Sequence, residues 1–253
     1  MGTNDFIKTR GIVLSEEKYK ESSKIISLFT EKNGRINLFA SGVLRPKSGL
    51  MLVSEKFVES DFLLTRNKNN FYIKSAEVIN SNMEIANNLK KYFIADMICE
   101  LLLKTMPENL VDEKIYNLTS QVFNYLKSDK LNPQILKIGY MIKLISFLGF
   151  RPQLQQCTEC SSKDYSNMYF SHRDGGIICG NCLDISGEYV KLSKVEIEII
   201  LKILYSKFSD YEQLDLPEKF VNRIDNLIYD YMLYSIDLKE LDSQNKYKKL
   251  MEI

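Results

Sequence analysis

Two Cys-x-x-Cys pairs, Cys157/Cys160 and Cys179/Cys182, stand with eighteen residues between them. Each pair lets two thiolates of one tight turn face a single point. Two such turns brought together make the tetrahedral sulfur cage that Zn2+ prefers. Four sulfurs complete the coordination shell and leave no position for water or substrate. The chemistry expected is therefore structural: one Zn2+ per chain whose binding folds a local zinc-ribbon module over about 151–190. Two disulfides are the alternative. Against them stand the absence of a secretory apolar segment at the N-terminus and a fifth, unpaired cysteine, Cys99, in an apolar helix-like run, which together suit a reducing compartment.

Other residues that could do chemistry are sparse. The single histidine, His172, lies between the cysteine pairs in Ser171-His172-Arg173-Asp174-Gly175-Gly176 and reads as a solvated turn residue, since four cysteines already complete a site. His172-Arg173-Asp174 spells a kinase catalytic-loop triplet, but no Gly-rich loop, strand lysine or Asp-Phe-Gly accompanies it. Asp96 and Glu100 form an i, i+4 carboxylate pair that could hold a metal or act as acid and base. The alternative is a solvated helix face with Glu100 paired to Lys104. No catalytic residue is assigned, and a non-enzymatic role is expected.

The elements that would position these groups fall into two domains, a length of 253 residues being enough for each to bury its own core. Over residues 1–80, Phe6 to Leu14, Ser23 to Thr30, Gly34 to Gly42, Phe57 to Arg66 and Phe71 to Ile79 are β-prone runs separated by turn signals such as Lys32-Asn33-Gly34 and Asn67-Lys68-Asn69-Asn70. Five strands without a strong helix among them predict a small barrel, of which the oligonucleotide-binding (OB-fold) barrel is one kind. Alternation in the third run puts Ile36, Leu38 and Ala40 inside and Arg35, Asn37, Phe39 and Ser41 outside. In such barrels bases stack on aromatic side chains while Lys and Arg track phosphates. Arg35 with Phe39, and Tyr72 with Lys74, offer that combination. Packing of Phe39 and Tyr72 under the 43–56 loop or against the next domain is the other reading. The loop Gly42-Val43-Leu44-Arg45-Pro46-Lys47-Ser48-Gly49 sets two cations around a proline and suits phosphate contact.

From Asn80 the period changes, predicting an α-helical domain over 81–253 with the zinc module inserted between its helices. Helices are expected from Ile85 to Met106, Val111 to Lys127, Pro133 to Leu148 (Asn132 as cap), Ser193 to Phe208 (Ser193 and Glu196 as a capping box) and Pro217 to about Leu241. The Lys246 to Lys249 tail reads as a short, frayed basic end.

Composition is that of an ordinary globular protein: 45% hydrophobic, 26% charged, net charge +1. No apolar run is long enough for a bilayer, the start lacks the Ser or Thr of a myristoylation signal, and a cytoplasmic location without membrane contact is expected. Charge is uneven. Residues 1–80 carry 13 Lys or Arg against 9 Asp or Glu, and the remainder 21 against 24, so a modest basic face belongs to the first domain. A solvated surface of mixed charge would look the same by composition.

The ordered series Gly11-Ile12-Val13-Leu14, Tyr19, Glu21, Leu28-Phe29-Thr30, Gly34, Ala40, Gly42-Val43 and Arg45-Pro46-Lys47-Ser48 resembles the N-terminal signature of bacterial recombination-repair RecO proteins. Gly149-Phe150-Arg151-Pro152-Gln153-Leu154 running into Cys157, then Phe170-Ser171, Gly175-Gly176 and Cys179 to Cys182, resembles that family's zinc-bearing segment. The resemblance implies an oligonucleotide-binding (OB-fold) barrel followed by a helical domain with a zinc finger, in a nucleoid-associated protein that binds single- and double-stranded DNA and anneals complementary strands. It further implies action with RecR in loading RecA, and contact with the C-terminal tail of single-strand-binding protein. It carries DNA contact onto Arg45 and Lys47; Arg35, Phe39, Tyr72 and Lys74 join them from the residue reading alone. Where many relatives carry Arg this chain has Leu44, and where they often carry Lys it has Ser41, so the loop has up to two cations fewer. Two other classes stand beside the mediator: a protein adaptor with little DNA binding of its own, and a metal-dependent nucleic-acid-modifying enzyme built on Asp96 and Glu100.

Overall fold

The computed structural model describes residues 6–67 and 70–251. Residues 1–5, read above for an acylation signal, and the centre of the turn expected at 67–70 lie outside the described residues. Strands are β1 (Phe6–Tyr19), β2 (Ser23–Thr30), β3 (Gly34–Ala40), β4 (Glu59–Asn67), β5 (Asn70–Asn80), β6 (Met168–Ser171), β7 (Gly176–Cys179) and β8 (Val190–Leu192). Helices are α1 (Leu89–Thr105), α2 (Glu113–Leu126), α3 (Pro133–Phe147), α4 (Lys194–Tyr205), α5 (Glu218–Ser235) and α6 (Asp242–Met251). Contacts group residues 1–128 with 241–253 as one compact unit and 129–240 as a second, so α1, α2 and α6 cluster with the barrel.

In the first unit β1 to β5 close into a barrel in the order β1-β2-β3-β5-β4, with β1 pairing both β2 and β4. This is the OB-fold order. Val13, Ile26, Leu28, Ile36, Leu38, Phe62 and Leu64 fill its interior. β3 alternates as its residues require: Ile36, Leu38 and Ala40 are buried, while Asn37 is exposed and Arg35 and Phe39 are half-buried. Gly34 adopts φ +67°, and a Cβ there would overlap the backbone of Leu110. β1 continues five residues past Leu14, bending at a register shift between Val13 and Ser15.

Two buried charged groups of this unit, Lys24 and Glu59, are paired. Lys24 lies against Glu16 and 2.8 Å from Glu55. Glu59, 2% exposed, accepts from Tyr116 Oη at 2.9 Å, Ser120 Oγ at 3.0 Å and Asn80 Nδ2 at 2.8 Å, an arrangement that satisfies a carboxylate out of water. Asp96 and Glu100 are each engaged by protein groups. Asp96 is ion-paired with Lys56. Glu100 meets Lys104 at 3.5 Å as expected, yet it is not solvated: it accepts from the Asp242 amide at 3.0 Å, the Ser243 amide at 2.9 Å and Ser243 Oγ at 2.6 Å. These donors are the first turn of α6. The tail expected to fray is therefore a helix with its amino end on a carboxylate, where the helix dipole favours negative charge.

In the second unit α3 begins as its residues dictate, with Pro133 in the first turn and Asn132 accepting from the Gln134 amide at 2.9 Å. Ser193 and Glu196 form the expected capping box at α4. Lys143 donates to the carbonyls of Ile203, Leu204 and Ser206 at 3.0, 2.7 and 2.8 Å, closing the carboxyl end of α4. α5 stops at Ser235 rather than near Leu241. Asp237 takes φ +50°, and the amides of Asp237 and Leu238 bond back to the carbonyls of Tyr234 and Leu233, a Schellman stop without glycine. β7-β6-β8 form a small antiparallel sheet that carries the cysteine module.

Candidate nucleic-acid face and metal centre

On the barrel, β3 and β5 meet in a short parallel pairing, Leu38 with Phe71 and Phe39 with Tyr72. The register sets Phe39 and Tyr72 side by side, ring centroids 5.8 Å apart and 23° from parallel. Tyr19, at the end of β1, meets Phe39 edge-on at 5.7 Å, and Lys20 Nζ lies 5.3 Å from the Tyr19 ring. Three strands thus contribute one aromatic each to a continuous row outside the barrel core. Neither the 43–56 loop nor another domain is needed to explain the Phe39–Tyr72 pairing; the two rings pack on each other.

The cations are distributed unevenly about this row. Arg45 and Lys47 are exposed in one turn, where the Arg45 amide bonds the Gly42 carbonyl at 3.2 Å, the Ser48 amide bonds the Arg45 carbonyl at 3.0 Å and Lys47 adopts φ +66°. Lys74 is exposed at a bulge, because β5 shifts register between its pairings of Ser75 with Leu63 and Ile73 with Leu64. Strict alternation from Tyr72 to Lys74 is interrupted there. Arg35 is engaged internally: its Nε donates to the Met106 carbonyl at 2.9 Å, its Nη1 lies 3.5 Å from Glu108, and its side chain is 17% exposed. Tyr19 was not predicted for this face. It belongs to a polar stretch that continues β1 beyond its apolar run.

In the second unit the two cysteine pairs converge. The four Sγ atoms of Cys157, Cys160, Cys179 and Cys182 lie within 4.8 Å of one another. Cys160 and Cys179 sulfurs stand 3.6 Å apart, close to the separation of about 3.8 Å that two thiolates have on a tetrahedral Zn2+ with Zn–S bonds of about 2.3 Å. Local backbone makes the turns: the Ser161 amide bonds the Cys157 carbonyl at 3.0 Å with Ser161 at φ +59°, and Cys179 to Cys182 continues β7 into a 3-10 turn. Burial pushes the Cys157 thiol up, but backbone amides of Cys160, Cys179 and Glu159 outweigh it and hold the group down at about 6. The Cys179 amide reaches the Cys157 sulfur at 3.3 Å. Donor identity, convergence and this amide-stabilised thiolate fit a tetrahedral metal ion. Cys99 is fully buried elsewhere, its thiol pushed up to about 12 by burial.

His172 is not the solvated turn residue expected. Its ring lies 5.6 Å from Phe170 and stacks on Tyr231 at 6.2 Å, Nε2 is buried without a partner, and burial lowers its pKa. The hairpin leads it back onto α5 of the same unit rather than outward.

Two family models match in tandem: residues 4–82 match the one described as Recombination protein O N terminal, and residues 86–244 the one described as Recombination protein O C terminal. Curated relatives named DNA repair protein RecO cover nearly the whole chain. That of Caldanaerobacter subterraneus subsp. tengcongensis is 28% identical over 233 residues, 92% of this chain and 94% of the relative. The protein of Alkaliphilus metalliredigens is 24% identical over 244 residues, covering 96% and 99%, and that of Bacillus pumilus 28% over 250 residues, 97% of each. With both models in order around a closed five-stranded barrel and a converged four-cysteine cluster, the chain belongs to the recombination protein O family.

Proposed function

We propose that this protein is a non-enzymatic mediator of DNA repair and recombination that binds single- and double-stranded DNA on the barrel and anneals complementary strands. With RecR it would help load RecA onto DNA covered by single-strand-binding protein, whose C-terminal tail is a further partner. The single observation that carries the reading is the row Tyr19–Phe39–Tyr72, three rings in consecutive contact on a barrel whose 42–49 turn and fifth strand also carry the exposed cations Arg45, Lys47 and Lys74. Bases stack on such a platform without regard to sequence while lysine and arginine neutralise phosphates and release counterions. Two strands held this way approach with reduced mutual repulsion, and annealing needs no nucleotide turnover. Arg35 supports the face by holding β3 to the 106–110 segment.

The four cysteines are proposed to hold one structural Zn2+, which when bound supplies the cross-link that two short turns and a three-stranded sheet lack. Among the described residues no helix is long and apolar enough to cross a membrane, and a cytoplasmic, nucleoid-associated location follows from the proposed partners. The test is annealing of two complementary labelled oligonucleotides across a salt series, without nucleotide or divalent metal. Salt-sensitive acceleration is expected. No acceleration at low salt by folded protein would overturn the annealing role and favour the adaptor.

A further inference from the structure

Beside the aromatic row, where the parallel pairing of β3 and β5 stops after two residue pairs, the first unit carries a groove of about 510 Å3. That is within the roughly 300–1,000 Å3 of sites for small organic groups. Phe39 belongs to both the row and the groove, so a strand stacked on the row passes its mouth. The groove is polar over an aromatic wall. Asn37 and Asn109 offer amides, Glu108 a carboxylate, and Phe71 a ring with the Arg66 guanidinium 5.5 Å from its centre.

Glu108 is held in place. The 106–110 segment lies along β3: the Asn109 amide donates to the Arg35 carbonyl at 2.9 Å, and Arg35 and Glu108 form a parallel bridge. Its Oε1 accepts from Asn37 Nδ2 at 2.7 Å and faces Arg35 Nη1 at 3.5 Å. Among the described residues Oε2 has no partner, so accepting capacity remains. What the carboxylate favours is a donor. The exocyclic amine of cytosine is a donor that aspartate or glutamate takes, whereas thymine and uracil present a carbonyl oxygen at the same ring position.

We propose that this groove is a base-reading pocket: one unstacked nucleobase of a bound single strand inserts its exocyclic amine against Glu108, with Phe39 and Phe71 beside its ring, so that cytosine is held in preference to uracil or thymine. The inference rests on the barrel face being the single-strand surface proposed above. It adds a base preference to a surface whose stacking and phosphate contacts have none.

The test compares fluorescence anisotropy of labelled deoxycytidine and deoxyuridine homopolymers of about twelve residues, within the span one such barrel covers, binding to the full chain at fixed salt. These strands differ in the base edge and not in the backbone. Wild type is expected to bind deoxycytidine about tenfold more tightly, the worth of one hydrogen bond to a charged group. Glu108→Gln, whose amide can both donate and accept, is expected to lose the preference while keeping the salt slope. A deoxycytidine strand carrying N4,N4-dimethylcytosine should lose it on the unaltered protein, which needs no variant to fold. Equal wild-type binding of the two strands overturns the pocket and leaves the face standing. Tighter binding of both strands alike by Glu108→Gln also overturns it, making the carboxylate a mere electrostatic shield. Binding of neither strand at low salt overturns the face and the pocket with it.

Discussion

Phe39 and Tyr72 stack across the parallel pairing of β3 and β5, their rings 5.8 Å apart, at a point where the flanking strands carry the exposed or half-buried residues of the barrel. Base–aromatic stacking contributes about 1–3 kcal/mol per base, and phosphate contacts contribute through counterion release. The two kinds of contact therefore separate by experiment. Phe39→Ala with Tyr72→Ala should weaken single-strand binding about tenfold or more with the slope of log affinity against log salt unchanged. Arg45→Ala with Lys47→Ala should flatten that slope by about 1.4, two phosphate contacts on a single strand. Fluorescence anisotropy over a salt series reads both, and an unchanged slope in the second variant would remove the 42–49 turn from the DNA contact.

Arg35 connects residues 71 apart in sequence through the Met106 carbonyl. A charge-assisted hydrogen bond at a mostly covered side chain contributes about 1.5–3 kcal/mol. Arg35→Ala should lower the urea midpoint of the folded protein by a matching amount, and Arg35→Lys should recover only part, because the fork geometry is lost. DNA affinity measured well below the unfolding transition should change less than in Arg45→Ala. A drop in affinity with an unchanged midpoint would instead make Arg35 a direct DNA contact.

The four-cysteine cluster predicts one Zn2+ per chain, released when the thiols are blocked by an organomercurial and counted with a colorimetric chelator. Cys157→Ser should bring the count to zero. Hydrogen exchange should then lose protection over β6 and β7, because the binding energy of a structural site is folding energy for the elements it joins. Protection in β1 to β5, in the other compact unit, should stay as it was.

Much of this arrangement was readable from the residues, and the failures have physical causes. The Cys-x-x-Cys spacing, the inward Ile36, Leu38 and Ala40, the Asn132–Pro133 start and the Ser193–Glu196 box are local signals, and local geometry decided each. Tyr19 was missed because β1 runs on through Ser15-Glu16-Glu17-Lys18, whose side chains carry no apolar alternation. The stop of α5 was missed because an aspartate, not a glycine, takes the left-handed position. The helical tail and the packed His172 depend on Glu100 and Tyr231, far away in sequence, and no window of neighbouring residues contains that information.

Glu100 couples the carboxyl-terminal helix to pH. Its burial raises the pKa, but donation from the Ser243 hydroxyl and the Ser243 and Asp242 amides outweighs burial and holds it below the ordinary value. A carboxylate depressed in the folded state contributes stability that is complete above the unfolded pKa of about 4.3 and disappears as pH falls through the lower folded value. Wild type should therefore lose protection in α6 on acidification below about pH 4.3, measured by hydrogen exchange. Glu100→Gln should show the loss already at neutral pH, costing about 1 kcal/mol as other helix caps do.

Lys137 and Asp225 form the most buried ion pair of the second unit, Nζ to Oδ2 3.1 Å, with side chains 7% and 10% exposed. Gln134 adds a bond to the same Oδ2 at 3.0 Å, while Oδ1 is buried without a partner. Taking two charges from water costs several kcal/mol each, and their attraction repays this only with every lone pair satisfied, which is not so here. Removing the cation alone leaves an uncompensated carboxylate: Lys137→Met should destabilise the unit by about 3–5 kcal/mol. The paired change Lys137→Met with Asp225→Leu removes both desolvation costs and should recover most of that loss, giving a coupling energy of several kcal/mol in the double-mutant cycle. Urea denaturation of the four proteins at neutral pH reads the cycle. Additive losses would mean that the pair is wetter than its burial implies, and that α3 and α5 are joined by their apolar contacts alone.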